Sequence, residues 1–384
     1  MKKVLSILLS VAMIVLCFAA CGKTDGDKSS TGKAANVKVG FIFLHDENST
    51  YDKNFITAAE EACKKAGVEI LKKTNISETQ ACYDAAAELV DEGCNVIFAD
   101  SFGHEPYVIQ AAKKFPEVQF LHATGTKAHT EGLSNYHNAF ASIYEGRYLA
   151  GVAAGMKLNE MISSGKITAD KAKMGYVGAY TYAEVISGYT SFYLGAKSVC
   201  PSVTMEVTFT GSWYDETAEK EAAQKLINNG CVLISQHADS MGAPTACEAA
   251  GVPNVSYNGS TVSACPNTFI VSSRIDWAPY LEYAIDCVKN GKAIDTDWTG
   301  TLSTGSVVLT DVNTKAAAEG TQAKIDEVKA ELESGKLHVF DTSAFTVTVS
   351  DSKNKNATVD ADGHLTGYKA DIDSDADNTG DTEV

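Results

Sequence analysis

Residues 37–55 read VKVGFIFLHDENSTYDKNF. Apart from Lys38, the first eight are apolar, with several β-branched side chains and no alternation, which is typical of a strand buried on both faces of a sheet. A polar loop with one aromatic residue, Tyr51, follows, and apolar residues from Phe55 onward recur with helical spacing. Ligands of open α/β sheets bind at the carboxyl ends of the strands, so this loop is a candidate binding loop. The alternative is that Asp46 caps the turn or the helix and Tyr51 packs on it.

Strand and helix patterns alternate along most of the chain. They run with short loops from residue 37 to residue 138, and the same order of elements starts again at residue 173. This alternation predicts an α/β fold with doubly wound parallel sheets, and 384 residues are enough for two lobes. Polar and aromatic loops recur at the strand exits of both halves, which indicates a ligand cleft between the lobes.

The first residues predict export. Met1 is followed by two lysines and by an apolar run, residues 4–16, that is too short to span a membrane as a mature helix. The leader ends in FAAC, which resembles the lipobox of bacterial lipoproteins. By that resemblance residues 1–20 are a signal peptide, Cys21 carries the lipid, residues 21–36 are a polar tether, and the protein is held on the outer face of the cytoplasmic membrane. The alternative is an ordinary secretory signal in which Cys21 has no role.

The net charge and the cysteines exclude further classes of partner and site. The net charge of −17 argues against binding to nucleic acid and to the surface of an anionic membrane, so we expect membrane contact only through the lipid anchor. Besides Cys17 and Cys21, eight of the ten cysteines are spread over the chain without a C-x-x-C pair, mostly in apolar patterns. They predict buried free thiols, not a disulfide framework or a zinc site.

The sequence lacks the common catalytic signatures: G-x-S-x-G, H-E-x-x-H, the P-loop and G-x-G-x-x-G. We therefore expect no enzymatic activity, no cofactor and no metal site. The strand exits combine acidic or amide, aromatic and basic side chains, namely Asp46, Asp239, Asn258, Asp276, Tyr51, Phe102, Tyr180, Trp213, Tyr214, Trp277, Arg274 and His237. This mixture suits a small, flat, polar ligand, because rings stack on its faces and polar groups select its edge.

Several longer stretches resemble the basic membrane protein (BMP) family of lipoproteins, the substrate-binding components of ABC importers. They are SFG at 101–103, FPEVQF at 115–120, HATG at 122–125, YEGRYLAG at 144–151, WYD at 213–215, QHAD at 236–239 and WAPY at 277–280. The resemblance implies the fold of type I periplasmic binding proteins, in which three crossing strands join two Rossmann-like lobes. It places residues 37–138 and 261–294 in the N-terminal lobe and residues 139–260 and 295–350 in the C-terminal lobe. The residue pattern itself predicts a C-terminal hairpin with an acidic tail at 351–384.

The best-understood member of that family binds purine nucleosides, and the resemblance implies roles in reading the base. Asp46 matches an acidic residue that reads the base edge. Tyr51 matches an aromatic residue on one face of the base, and Trp213 or Tyr214 matches one on the opposite face. With the neighbouring exit residues, the candidate ligand-binding set is Asp46, Thr50, Tyr51, Ser101, Phe102, His122, Trp213, Tyr214, His237, Asp239, Asn258, Arg274, Asp276 and Trp277.

The ribose positions depart from the family pattern. Arg274 matches a basic residue that holds the ribose, but Asn258 and His122 stand where the family has ribose-binding aspartates. Because two carboxylates are replaced, a free base such as adenine, or another small heterocycle, becomes a candidate beside the purine nucleoside.

These expectations describe a monomeric, lipid-anchored protein that closes its lobes on a purine-type ligand and delivers it to an ABC permease. Two alternatives stay open. One is a ligand sensor of the same fold coupled to a membrane receptor. The other is an extracellular nucleoside hydrolase, for which the sequence offers no clustered metal-binding aspartates.

Overall fold

Two six-stranded sheets carry the fold. The structure is a computed structural model that describes residues 37–341. Within that range the strands are β1 (Lys38–Ile42), β2 (Glu69–Lys73), β3 (Val96–Ala99), β4 (Gln119–Ala123), β5 (Tyr136–Ala141), β6 (Lys173–Gly178), β7 (Thr204–Phe209), β8 (Leu233–Gln236), β9 (Asn254–Tyr257), β10 (Phe269–Ile275), β11 (Asp297–Gly300) and β12 (Val307–Leu309). The helices are α1 (Thr50–Ala66), α2 (Gln80–Asp91), α3 (Glu105–Lys114), α4 (Ala128–Glu131), α5 (Ile143–Ser163), α6 (Ala183–Val199), α7 (Glu216–Asn228), α8 (Gly242–Ala250), α9 (Ala278–Lys289) and α10 (Thr321–Glu333).

Both sheets have a doubly wound strand order. The first runs β11-β5-β4-β3-β1-β2 with every neighbour parallel. The second runs β12-β10-β9-β8-β6-β7 and is parallel except for β12, which is antiparallel to β10. The strand order reverses between β1 and β3 and between β6 and β8, and ligands of such sheets bind at these switch points. The predicted α/β fold with two doubly wound lobes is confirmed.

The chain passes between the lobes three times. After β5, helix α5 packs on α6 and β10 of the second lobe. After β10, helix α9 packs on α1 of the first lobe. The third passage follows β11, which pairs with β5, and leads to β12, which pairs with β10.

The predicted lobe boundaries are wrong in three places. The boundary at residue 138 falls inside β5, the assignment of residues 261–294 to the first lobe misplaces β10, and the assignment of residues 295–350 to the second lobe misplaces β11. An isolated strand pattern indicates that a segment is extended, but it does not indicate which sheet the segment joins. The predicted signal peptide, Cys21, the tether, and the hairpin and tail at 351–384 lie outside the described residues.

The opening strand and helix are built as their sequence predicts. β1 is buried along almost its whole length, and Phe41 and Phe43 are completely inaccessible to solvent. Ser49 caps α1, because its side chain accepts a hydrogen bond from the backbone N–H of Asp52. The helix ends at Gly67, which adopts a left-handed conformation with φ of 65°.

Helices α5 and α6 meet backbone to backbone through glycines. A Cβ atom added at Gly151 would lie 2.1 Å from the carbonyl oxygen of Phe192, and one added at Gly195 would lie 2.0 Å from that of Tyr148. Real Cβ atoms do not approach backbone this closely, so only glycine fits at these two positions. The contact fixes α5 firmly to the second lobe.

The predicted buried free thiols are confirmed. The eight cysteines in the described residues are all buried and free. Burial raises the pKa of the Cys63 thiol to about 12, so this side chain behaves as a small apolar residue.

Candidate ligand-binding site

A cavity of about 290 Å³ lies between the two lobes, at the strand ends beside both switch points. Pockets for small molecules usually measure about 300–1,000 Å³, so this cavity is at the small end of the range. The first lobe contributes Leu44, His45, Tyr51, Asp52, Ser101, Phe102, Thr124, Thr126 and Phe140 to its lining. The second lobe contributes Thr181, Tyr182, Ala183, Glu184, Trp213, His237, Asp239, Tyr257 and Ile275.

Six residues of the predicted site line this cavity: Tyr51, Ser101, Phe102, Trp213, His237 and Asp239. The Tyr51 hydroxyl donates a hydrogen bond to the carbonyl oxygen of Asp100 at 2.7 Å, which fixes the direction of the ring. The Ser101 hydroxyl donates to Glu78 Oε1 at 2.5 Å, so its hydrogen is already used. Both lobes therefore supply predicted residues to one site.

Aromatic rings from both lobes meet beside the cavity. The rings of Phe102 and Tyr182, which belong to opposite lobes, have centroids 5.2 Å apart. Trp213 packs edge-on against Tyr180 at 4.9 Å and lies 5.9 Å from Tyr182. Ring faces of this kind give a planar ligand surfaces on which to stack.

Thr50 and Asn258 support the site without lining the cavity. The backbone N–H and the hydroxyl of Thr50 both donate to the carbonyl oxygen of Asp239, at 3.1 Å and 3.0 Å, and this pair of hydrogen bonds crosses from the first lobe to the second. Asn258 has a left-handed backbone with φ of 61°, and its side-chain amide donates to Asp239 Oδ1 at 3.1 Å. The two residues hold Asp239 in place.

Asp46 lies in a turn, outside the cavity lining. Its Oδ1 accepts hydrogen bonds from the backbone N–H and the side-chain amide of Asn48, at 3.0 Å and 2.8 Å, and these bonds lower the pKa of Asp46. The capping alternative therefore describes Asp46 better than a role in reading the base. The carboxylate that α1 presents to the cavity is that of Asp52.

Two predicted aromatic residues also lie outside the lining. Trp277 is completely buried and stacks on Phe55, with ring centroids 4.3 Å apart and planes 19° apart. It is a core residue between α1 and α9, and the expectation that it contacts ligand is wrong. The centroid of the Tyr214 ring lies 5.2 Å from that of His45 in the other lobe, so Tyr214 contacts a lining residue without lining the cavity itself.

The predicted ribose-binding residues have protein partners in this structure. Arg274 Nη1 donates to Asn54 Oδ1 at 3.2 Å, and Nη2 lies 3.6 Å from Asp276 Oδ2. Asp276 accepts at 3.0 Å from the backbone N–H of Ala278, the first residue of α9. The buried His122 donates from Nε2 to the carbonyl oxygen of Ser101 at 2.7 Å, since a carbonyl oxygen can only accept. None of Arg274, Asp276 and His122 belongs to the lining residues of the cavity.

A histidine and a carboxylate form a pair in each lobe. In the first lobe, Asp52 accepts from the backbone N–H of His45 at 2.7 Å, and His45 Nδ1 lies 3.2 Å from Asp52 Oδ2. Burial alone would raise the pKa of Asp52, but the hydrogen bonds from His45 and Ser49 lower it overall. In the second lobe, Glu184 Oε2 lies 2.9 Å from His237 Nε2.

Two further carboxyl groups beside the cavity have raised pKa values. Burial, followed by repulsion from Asp52, raises the pKa of Asp100 well above its usual range. The same two causes raise the pKa of Asp239, with Glu219 as an additional negative neighbour. Asp52 and Glu184, one from each lobe, are the lining carboxyl groups whose pKa values are lowered.

The loop after β4 is held in a strained shape at the cavity wall. Thr124 has φ of 62°, a left-handed conformation that a β-branched residue rarely adopts. The buried carboxylate of Glu105 accepts from the backbone N–H groups of Thr126 and Lys127, at 2.7 Å and 2.8 Å. These bonds keep Thr124 and Thr126 against the cavity.

Several lining residues were not among those predicted from the sequence, and the polar ones are His45, Asp52, Thr124, Thr126, Thr181 and Glu184. Asp52 and Glu184 lie in the first turns of α1 and α6. Acidic residues are common in first helical turns because the helix dipole stabilises negative charge there. In the sequence, Asp52 and Glu184 therefore look like residues that stabilise a helix start, not like ligand-binding residues. The Ser49-x-x-Asp52 spacing does predict a helix start, but not that the Asp52 carboxylate faces a ligand site.

The described residues contain neither a metal-binding cluster nor a membrane-crossing helix. No group of three or more His, Cys, Asp or Glu residues within 37–341 is arranged to hold a metal ion. No helix in the same range is long and apolar enough to cross a bilayer.

The chain matches one protein family and is similar to several known proteins. A family model described as Bmp, "ABC transporter substrate-binding protein PnrA-like", matches residues 40–337. A purine-binding protein of Brucella abortus is 30% identical over 310 residues, which is 79% of this chain and 83% of that protein. A Haloferax volcanii protein, TsgA13, named for glucose binding in an ABC transporter, is 27% identical over 332 residues, or 84% of this chain and 78% of that protein.

A solved structure supports the fold. The solute-binding protein of an ABC transporter system from Conexibacter woesei superposes with a TM-score of 0.65 at 21% identity. The match covers 79% of this chain and 98% of that protein. At this level of identity the similarity concerns the two-lobed fold alone, and the solute-binding-protein architecture is confirmed.

Proposed function

Because the chain belongs to the Bmp family of PnrA-like substrate-binding proteins of ABC transporters, we propose that it binds a purine nucleobase or nucleoside between its lobes and presents it to an ABC permease. The observation that carries the proposal is the composition of the cavity: aromatic rings and one ionised carboxylate from each lobe surround a space of about 290 Å³. The family expected from the sequence motifs is confirmed.

A planar heterocycle fits this composition. The rings of Tyr51, Phe102, Tyr182 and Trp213 supply stacking surfaces, and each aromatic pair contributes about 0.5–1.5 kcal/mol beyond the burial of its area. Carboxylates accept hydrogen bonds from N–H groups, which purine rings carry on their edges. A similar ligand is indicated by the name of the Brucella relative.

Within this class we favour the free base. Arg274 and Asn258, which occupy ribose-binding positions of the family, are hydrogen-bonded to Asn54 and Asp239 respectively and do not line the cavity. The small cavity volume points in the same direction. No bond of the ligand is made or broken in this proposal.

The decisive experiment is a binding panel with the purified protein. Adenine, hypoxanthine, guanine, adenosine, inosine and glucose are titrated by isothermal calorimetry, and any co-purified ligand is released by denaturation and identified by mass spectrometry. We expect saturable binding of at least one purine and none of glucose. Binding of glucose without any purine would refute the purine assignment, and release of free base from inosine would favour the hydrolase.

Export and lipid anchoring through Cys21 complete the proposal, with the protein acting as a monomer on the outer face of the cytoplasmic membrane. Cells fed radiolabelled palmitate should incorporate it into the wild-type protein and not into the Cys21→Ala variant. Equal labelling of both proteins, or no labelling of either, would contradict the anchor.

A further inference from the structure

Glu184 is a charged residue of the cavity wall that the recognition of stacking rings does not explain. It lies in the first turn of α6, 23% of its side chain remains exposed, and the residue lines the cavity. Its Oε2 lies within hydrogen-bond distance, 2.9 Å, of Nε2 of His237, a side chain that is only 5% exposed. The pair is therefore built into the wall of the second lobe.

The contact with Arg147 determines which ring nitrogen of His237 carries the hydrogen. Arg147, which is completely buried, places Nη2 3.2 Å from His237 Nδ1 and also donates to the carbonyl oxygen of Gln236. A guanidinium group has only hydrogen-bond donors, so Nδ1 must be the acceptor and carry no hydrogen. The hydrogen of the neutral ring is then on Nε2, and it is donated to Glu184.

Arg147 is itself fixed in position. Its guanidinium carbon lies 3.6 Å from the centre of the Tyr257 ring, a close cation–π contact in a buried environment. The order Tyr257, Arg147, His237, Glu184 forms a continuous chain of contacts that ends at the cavity. We call these four residues the Glu184 chain.

The chain keeps Glu184 ionised. Burial alone would raise the pKa of Glu184, but the hydrogen bond from His237, the charge of Arg147 and the Tyr257 hydroxyl lower it overall. The lining residues include no lysine or arginine, so within the described residues nothing at the cavity surface neutralises this carboxylate directly. A carboxylate offers about four acceptor sites, and the hydrogen bonds within the chain use only part of them.

We propose, on the basis of the proposed function, that Glu184 is a specificity-determining residue whose carboxylate accepts a hydrogen bond from an N–H group on the ligand edge, and that His237 and Arg147 are positioning residues that keep it an acceptor only. The site then selects neutral or cationic heterocycles with an N–H donor at this edge. A ligand that presents only acceptors there leaves Glu184 unpaired, and an anionic ligand is repelled.

A double-mutant cycle tests the contact, with one change in the protein and one in the ligand. The protein change is Glu184→Gln, and the matched control is Glu221→Gln, an exposed glutamate on α7. The ligand change is methylation of a purine nitrogen, measured by calorimetry for adenine, hypoxanthine and their N-methyl derivatives.

We expect Glu184→Gln to weaken binding of the parent purine by about 10- to 100-fold, the usual effect of losing a hydrogen bond to a charged group. One N-methyl purine should bind the wild type more weakly than the unmethylated parent purine does. The Glu184→Gln variant should bind this methylated purine and its parent with the same affinity, and Glu221→Gln should behave as the wild type does. If the losses of binding free energy caused by the mutation and by the methylation are additive, the proposal is overturned, because Glu184 then affects only the structure of the site. A wild type that binds no purine refutes the proposed function instead, and is recognised before any variant is measured.

The positioning role has a spectroscopic test of its own. In ¹⁵N-histidine-labelled wild type at neutral pH, His237 should show a protonated Nε2 and an unprotonated Nδ1, and Arg147→Met should abolish this fixed tautomer. Because Arg147 is buried, that variant can fail to fold, but the wild-type spectrum alone decides the point. An Nδ1–H tautomer in the wild type would overturn the assignment of the Glu184 chain.

Discussion

Thr50→Val removes a hydrogen bond that exists only while the lobes touch. The Thr50 hydroxyl donates to the carbonyl oxygen of Asp239 at 3.0 Å across the cleft. Valine keeps the shape of threonine but lacks the hydroxyl. The same carbonyl still accepts from the backbone N–H of Thr50 at 3.1 Å, so no buried acceptor is left without a partner.

The expected cost follows from this geometry. A typical intramolecular hydrogen bond contributes about 0.5–1.5 kcal/mol net, and the low end applies where the acceptor keeps another donor. Since the bond stabilises only the closed state, its loss weakens ligand binding by the same free energy, which is about 2-fold in Kd at the low end of this range and at most about 13-fold. The stability of each separate lobe should hardly change.

The assay is calorimetric titration of the purine that the wild type binds, together with thermal unfolding of the ligand-free protein. Thr130→Val is the matched control, because the Thr130 hydroxyl donates to the carbonyl of Lys127 within the first lobe. We expect weaker binding for Thr50→Val alone. An unchanged Kd, or an equal loss for Thr130→Val, would refute the idea that the contact acts through closure.

Three other outcomes are expected. Trp213→Ala should weaken purine binding by about 10-fold or more and remove most of the ligand-induced fluorescence change, because the other tryptophans lie outside the cavity lining; an unchanged titration would exclude its ring from the contact. Gly151→Ala should lower the melting temperature markedly, since its Cβ would lie 2.1 Å from a carbonyl oxygen of α6. The control variant Gly188→Ala should leave the melting temperature nearly unchanged, because its Cβ would lie no nearer than 3.4 Å to any other atom. Burial raises the pKa of Glu219 from 4.5 to about 6, so its contribution to stability is greatest below pH 4.5 and declines as the pH rises through 6. The unfolding free energy of the wild type minus that of Glu219→Gln should fall by on the order of 2 kcal/mol across this interval in urea titrations, and a constant difference would contradict the assignment.

The strand exits were the most informative part of the sequence. Tyr51, Phe102, Trp213, His237 and Asp239 were predicted because each follows a strand pattern, and the parallel topology brings all five to one cavity. Such prediction succeeds because the carboxyl ends of parallel strands share one edge of the sheet.

Residues on helices were harder to predict. Asp52 and Glu184 resemble ordinary first-turn acids, and the contacts that direct them to the cavity come from His45 and His237, which follow strands elsewhere in the chain. Trp277 shows the opposite error, because an aromatic residue after a strand can equally fill the core, and only its stacking on Phe55 decides the matter. Tertiary contacts of this kind leave no periodic signal in the sequence.

The glycine contact between α5 and α6 limits where this protein can bend. Sliding α5 along α6 would bring larger side chains against backbone that only Gly151 and Gly195 can approach, so we expect α5 to move with the second lobe as one rigid piece. We therefore expect bending at Ser142, just ahead of α5, and at the two other connecting segments, residues 276–277 and 301–306. A helix of 21 residues then serves as a lever of roughly 30 Å, so a small rotation at Ser142 becomes a large displacement at its far end.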